Sequence, residues 1–216
     1  LRWARAVTGR PRVLVFDGCY HGTVDDTFVD LRADGRTVAS ASLLGQVHDP
    51  AAGTVAVPFN DLEAVEAVLA AGDVAAVLTE PALTNCGLVP PQPGFIEAVQ
   101  AACRRHGSLL LLDETHTLST GPGGWARVHG LVPDLLVVGK AVAGGMPCAV
   151  YGFGEALAER MAAAKAAAPE GHSGIGTTLA ANALALAALQ ATLTRVMTPP
   201  ALAAMERGAA RLATAL

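Results

Sequence analysis

A lysine does covalent chemistry where its amine can shed a proton and meet an electrophile, and the surroundings of Lys140 allow both. It follows Pro133-Asp134-Leu135-Leu136-Val137-Val138-Gly139, which has the pattern of a short buried strand, and precedes Ala143-Gly144-Gly145. Glycines there leave room for a bulky planar ligand to approach the backbone. A partly desolvated amine in such a place can be neutral and nucleophilic, suited to a Schiff base with an aldehyde cofactor. That chemistry also calls for a carboxylate to hold a ring nitrogen protonated. Asp113, at the end of the apolar run 109–112, stands where such a carboxylate would be needed. Taken alone, a strand-end lysine is ordinarily solvated and an Asp in this setting ordinarily caps a turn or helix, so the pair needs corroboration.

Ligands of open α/β sheets sit beyond the carboxyl ends of the strands. The positions to inspect are therefore Asp17, Glu80, Asp113 and Lys140. The run 13–16 ends at Asp17-Gly18, a strong turn signal. The run 74–79 ends at Glu80-Pro81, 109–112 at Asp113, and 134–138 at Gly139-Lys140, while 149–153 reads as a further strand. Helical patterns begin at Asn60-Asp61-Leu62-Glu63, with a cap residue three before a Glu, and recur over 94–106, 155–168 and 178–193. Pro199-Pro200 breaks the last of these before a final helix, and residues 1–8 read as the end of a helix already under way, as if the chain were cut from something longer. The alternation predicts an α/β fold with a mostly parallel central sheet flanked by helices.

Of the 216 residues, 52% are hydrophobic and 4% aromatic, so Ala, Val and Leu must build the core, as in buried parallel strands under alanine-rich helices. The length fits one large domain, 1–216. A net charge of -4 without Lys/Arg runs argues against nucleic acid or anionic membrane as partner and for a small molecule. The apolar stretch 177–193 carries Asn182 and Gln190 and reads as a buried helix rather than a membrane span. Cys19, Cys86, Cys103 and Cys148 form no CxxC pair, which predicts reduced, mostly buried thiols and a cytoplasmic protein. No G-x-G-x-x-G follows the run 13–16, which disfavours a nicotinamide-binding domain.

Several motifs, in order, corroborate the lysine and the carboxylate. They are Tyr20-His21-Gly22; Thr79-Glu80-Pro81 with Asn85 and Val89-Pro90-Pro91; the strand ending in Asp113-Glu114; the lysine segment 133–140 with Gly144-Gly145-Met146-Pro147; and Gly176-Thr177-Thr178-Leu179 with Asn182. Together they span almost the whole chain and resemble the class III aminotransferases, close to the glutamate-1-semialdehyde aminomutase branch. The resemblance implies the large domain of a fold-type I enzyme, without its N-terminal segment and C-terminal small domain, and pyridoxal 5'-phosphate (PLP) as cofactor. It further implies Lys140 as the Schiff-base lysine, Asp113 as partner of the pyridinium nitrogen and Tyr20 as the ring stacked on the cofactor, with His21 in the same motif. Asn85 would bond the phenolic oxygen and Thr115 would pack under the ring. Thr178, favoured over Thr177, would reach the phosphate of a neighbouring subunit in a homodimer. Asn85 could instead be an ordinary turn residue, and either threonine a helix cap.

The function this implies is transfer of an amino group from an amine or amino acid to a keto acid or aldehyde. A 2,1-aminomutase would use the same residues on one substrate, and a non-catalytic paralogue of the same fold is the alternative outside enzymes. His116 has no family counterpart and either lines the substrate pocket or fills a turn. Two departures stand out: Leu118-Ser119-Thr120-Gly121 replaces the family's Gly-Phe-Arg, and the Ser-Gly-Thr phosphate loop expected just before Leu1 is absent from the chain.

Overall fold

The computed structural model describes residues 1–170, 175–176 and 178–215. The chain begins with α1 (Arg2–Thr8) and β1 (Arg12–Phe16), then a small hairpin, β2 (Val29–Leu31) and β3 (Thr37–Ala39), and β4 (Thr54–Val57). There follow α2 (Leu62–Leu69), β5 (Val74–Thr79), α3 (Phe95–His106), β6 (Leu109–Asp113), α4 (Gly124–Val128) and β7 (Leu135–Val138). The rest comprises β8 (Val150–Phe153), α5 (Glu155–Ala166), α6 (Ala183–Ala191) and α7 (Pro199–Ala215).

Six strands form one sheet in the order β4-β1-β5-β6-β7-β8. The first five are parallel and β8 is antiparallel to β7. The direction of β8 follows from its connection: a loop of residues 139–149 without a crossover helix returns the chain antiparallel. β5 and β6 are buried at every position because both faces of the sheet are covered. Side chains alternate between those faces with the strand period of two. Leu110 and Leu112 pack with Leu14, Phe16 and Val77 beneath α2 and α3, whereas Leu109 and Leu111 pack with Val13, Val15 and Leu157 on the side of α1 and α5.

The predicted strands and helices are present, with differences at their ends. Asp61, not Asn60, caps α2, accepting a hydrogen bond from Ala64 N, while Asn60 takes a left-handed φ of 68°. The helix expected from Thr178 starts at Ala183: Ala181 has φ 58°, and Asn182 caps the new start through Ala185 N. Thr177 lies outside the described residues. Pro199 and Pro200 occupy the first turn of α7, where a missing N–H costs nothing. The hairpin, β4 and α4 carry no signal strong enough to be recognised in the sequence. Of the cysteines only Cys103 is buried, and Cys86 is exposed, which corrects the expectation of mostly buried thiols. Among the described residues no helix is long and apolar enough to cross a membrane.

Candidate active site

The parallel strands deliver their carboxyl ends to one edge of the sheet, and hydrogen bonds lace four of those ends together. The loop after β1 brings His21, whose Nδ1 lies 2.8 Å from Asp113 Oδ2 at the end of β6. Thr115 N donates to the other oxygen of the same carboxylate at 3.0 Å. Burial opposes a charge on His21, but hydrogen bonds to Asp113 and Cys19 outweigh it and raise its pKa to about 9. Burial likewise opposes the Asp113 carboxylate, and the bonds from His21 and Thr115 overcome it, holding its pKa below the usual range. At neutral pH the pair is therefore an imidazolium donating to a carboxylate.

Lys140 lies three residues beyond Val137, which pairs with Asp113 in the sheet. Its backbone is left-handed at φ 35°, a costly conformation for a residue with a Cβ, of the kind that collects at functional sites. Its Nζ is 2.7 Å from His116 Nε2. His116 Nδ1 is in turn 2.5 Å from Thr84 Oγ1, and Thr84 Oγ1 donates to Glu80 Oε2 at 2.5 Å. Glu80 is buried at the end of β5, and its Oε1 has no hydrogen-bond partner among the described residues. Beyond Lys140, a Cβ placed on Gly145 would meet nothing within 4 Å among the described residues, whereas Ala143 is buried and a Cβ on Gly144 would lie 3.4 Å from Thr192 Oγ1, so of the stretch expected to be uncrowded only Gly145 is open.

The other predicted residues take up varied positions. Tyr20 is 43% exposed beside His21, leaving its ring available for stacking. Asn85 Nδ2 donates to Thr84 Oγ1 at 3.3 Å, which joins it to the Lys140 cluster. The Thr115 side chain lies 3.5 Å from where a Cβ of Gly139 would be, next to Lys140. Thr178 stands in an exposed turn ahead of α6. The His21 side chain is buried against Asp113. Glu114, next to Asp113, is fully buried and serves the fold instead. It accepts from Trp125 N and Ala126 N at 2.6 and 2.8 Å and caps α4. A Cβ at Gly124 would collide with it. Thr84 is not singled out by the sequence, because a threonine in a loop carries no chemical signal until its neighbours are known.

A cavity of about 680 Å³ opens on the sheet face shared by Leu111 and Asp113, bounded by Trp3, Leu135, Val137 and Tyr151. Neither Lys140 nor Asp113 lines it. The Lys140 amine and the Asp113 and Glu80 carboxylates lie instead in the hydrogen-bonded clusters at the strand ends.

The model of the family "Aminotransferase class-III" matches residues 1–216. The chain belongs to this family. Among its relatives is a glutamate-1-semialdehyde 2,1-aminomutase of Roseiflexus castenholzii, 41% identical over 98% of this chain and 48% of the relative. A glutamate-1-semialdehyde aminomutase from Pseudomonas aeruginosa has a crystal structure with TM-score 0.84 and 48% identity, covering 92% of this chain and 45% of that one. An omega-transaminase from Sphaerobacter thermophilus superposes with TM-score 0.77 at 32% identity, over 92% and 46% of the two chains. A variant of the Pseudomonas protein has been crystallised in complex with PMP. The chain spans about half the length of the curated relatives it matches. These neighbours share the α/β architecture expected from the alternation of elements.

The donor set fits a pyridoxal group. Lys140 would supply a primary amine for an aldehyde carbon, and Asp113, held anionic, would supply the acceptor for a ring N–H. The ion pair beneath it has a measurable signature. Because the folded pKa of His21 is raised, its contribution to stability is complete below about pH 6.5, the unfolded value, and is lost as pH rises through about 9. The full-length protein should lose on the order of 3 kcal/mol across that interval from this pair, and His21→Gln should remove this component. Urea melts of both proteins at pH 6 and pH 9.5 test it: equal losses in the two would show that the pair is not coupled to folding.

Proposed function

We propose that the protein carrying this chain is a PLP-dependent enzyme that moves an amino group between an amine or amino acid and a keto acid or aldehyde. The observation that carries the reading is the placement of the Lys140 amine and the Asp113 carboxylate at neighbouring strand ends, with Asp113 kept ionised by His21. When bound, PLP supplies an electrophilic aldehyde and a ring that withdraws electrons from the substrate carbon.

The chain's own residues account for the remaining steps. Lys140 Nζ holds the group covalently and, once displaced by an incoming amine, takes a proton from the substrate carbon and returns one. Asp113 accepts the ring N–H and keeps it in place. Tyr20 would lie against the ring, Asn85 would donate to its phenolic oxygen and Thr115 would pack beneath it, while His21 fixes Asp113. Thr178 reaches the phosphate across a homodimer interface, a reading supported by the exposed Leu179, Leu184 and Leu186 nearby. A 2,1-aminomutase is the second reading, favoured by the names of the relatives in Roseiflexus and Pseudomonas. Product analysis with and without an added keto acid separates the two, since only a transaminase needs the acceptor.

The test of the main reading is borohydride reduction of the full-length protein followed by peptide mapping. A cofactor adduct on Lys140 is expected. A folded protein that takes up no PLP, or an adduct on another lysine, would sink it.

A further inference from the structure

We propose that His116 is a positioning residue that receives a proton from Lys140 Nζ, its acceptor nitrogen being turned toward the lysine by Thr84 and the buried Glu80. The inference rests on the reading of Lys140 as the cofactor-binding amine. The resemblance to the family assigns His116 nothing.

Counting hydrogens gives the orientation. The Thr84 hydroxyl has one hydrogen, and it is given to Glu80 Oε2 at 2.5 Å. Toward His116 the same oxygen can then only accept, so the nitrogen 2.5 Å away, Nδ1, carries the imidazole hydrogen. The lone pair of a neutral His116 is therefore on Nε2, which is the atom 2.7 Å from Lys140 Nζ. The geometry assembles a buried carboxylate, a hydroxyl, an imidazole and an amine in one line. It corresponds to a carboxylate–histidine–nucleophile array with lysine as the nucleophile and a threonine hydroxyl interposed.

The transfer moves one proton. An N–H bond of the Lys140 ammonium breaks, its electron pair stays on Nζ, and a new N–H bond forms on His116 Nε2. Lys140 is left neutral with a free lone pair, and His116 becomes an imidazolium. Glu80 Oε2, 3.4 Å from Nδ1, favours the new charge as its counter-charge. The second Glu80 oxygen is buried and has no donor among the described residues. Among the described residues, the titratable groups in contact with His116 are Lys140 on one side and Glu80 on the other. Asp113 and Glu114, from the same strand end, are engaged by His21 and Thr115 and by the start of α4 respectively. Lys140 combines a left-handed backbone with an amine against the imidazole, and backbone outliers of this kind collect at functional sites.

The experiment uses the full-length protein, stripped of cofactor with an amine and then resupplied with PLP, following capture by absorbance as a function of pH. Capture needs a neutral amine but no turnover. His116→Gln should slow it about 10²-fold at neutral pH, with the deficit disappearing at high pH, where solvent takes the proton. Thr84→Val should slow it less, with the same pH dependence, and Thr84→Ser should restore it. A space-filling His116 would give a deficit independent of pH, or none, and either result overturns the proposal. Should His116→Gln fail to fold, Thr84→Val carries the test, and an unchanged pH profile there is equally fatal. A wild-type protein with its adduct on Lys140 but no such profile refutes the His116 role alone. Absence of any adduct refutes the cofactor reading and this one with it.

Discussion

Lys140→Ala in the full-length protein is expected to abolish covalent cofactor retention and to reduce turnover by about 10⁴-fold. The amine has two roles, holding the aldehyde carbon and carrying the substrate proton, and general acid–base work alone is commonly worth about 10²–10⁴-fold. The loss should not come from unfolding. The side chain of Lys140 is exposed, its hydrogen bond is to His116, and alanine keeps the Cβ and therefore the strained φ. Stability should thus change by no more than about 0.5 kcal/mol. Measuring absorbance after desalting, turnover and a thermal melt on the same preparation checks the three statements together. Turnover within about tenfold of wild type would remove Lys140 from the chemistry.

Asp113→Asn is the second large effect, and it acts through charge rather than shape. The carboxylate accepts from Thr115 N on one oxygen and from His21 on the other. While His21 stays protonated an asparagine can satisfy only one of these, because its amide nitrogen must then face a donor, and the second bond returns only if His21 gives up its proton. The buried His21 loses its counter-charge, and the acceptor for the ring nitrogen weakens. Hydrogen bonds to charged groups contribute about 1.5–3 kcal/mol, so turnover should fall about 10²-fold. The pH-dependent stability contributed by His21 should fall with it. Asp113→Glu would keep the charge and displace it, so activity lower than wild type with the pH dependence of stability retained would separate position from charge. If Asp113→Asn leaves both turnover and the pH profile of stability unchanged, the ring-nitrogen assignment is wrong.

Much of the architecture is readable along the chain. β5 is recognisable over its full extent because Val74–Thr79 is uninterrupted and apolar, and β6 and β7 because each run ends in a polar residue after a turn or helix signal. The capping residue of α2 differs by one from the expected position, since Asn60 and Asp61 are both good caps and only the backbone decides between them. The hairpin of β2 and β3 is silent in the sequence because three-residue strands carry too few alternations to register a period.

For the site, residue type and order along the chain are enough to single out Lys140, Asp113 and the strand ends that bear them, because strand patterns are local and a reactive residue after one is conspicuous. The partners of those residues are not accessible in that way. His21 meets Asp113 across 92 residues, and Thr84 meets His116 across 32. Whether two side chains so far apart touch depends on sheet order and register, which place the end of β1 near that of β6 and the end of β5 near that of β6. The ionisation of Asp113 and the direction of the His116 lone pair are set by those contacts. They belong to the folded arrangement because hydrogen bonds and charge interactions act over a few ångströms in space, regardless of separation along the chain.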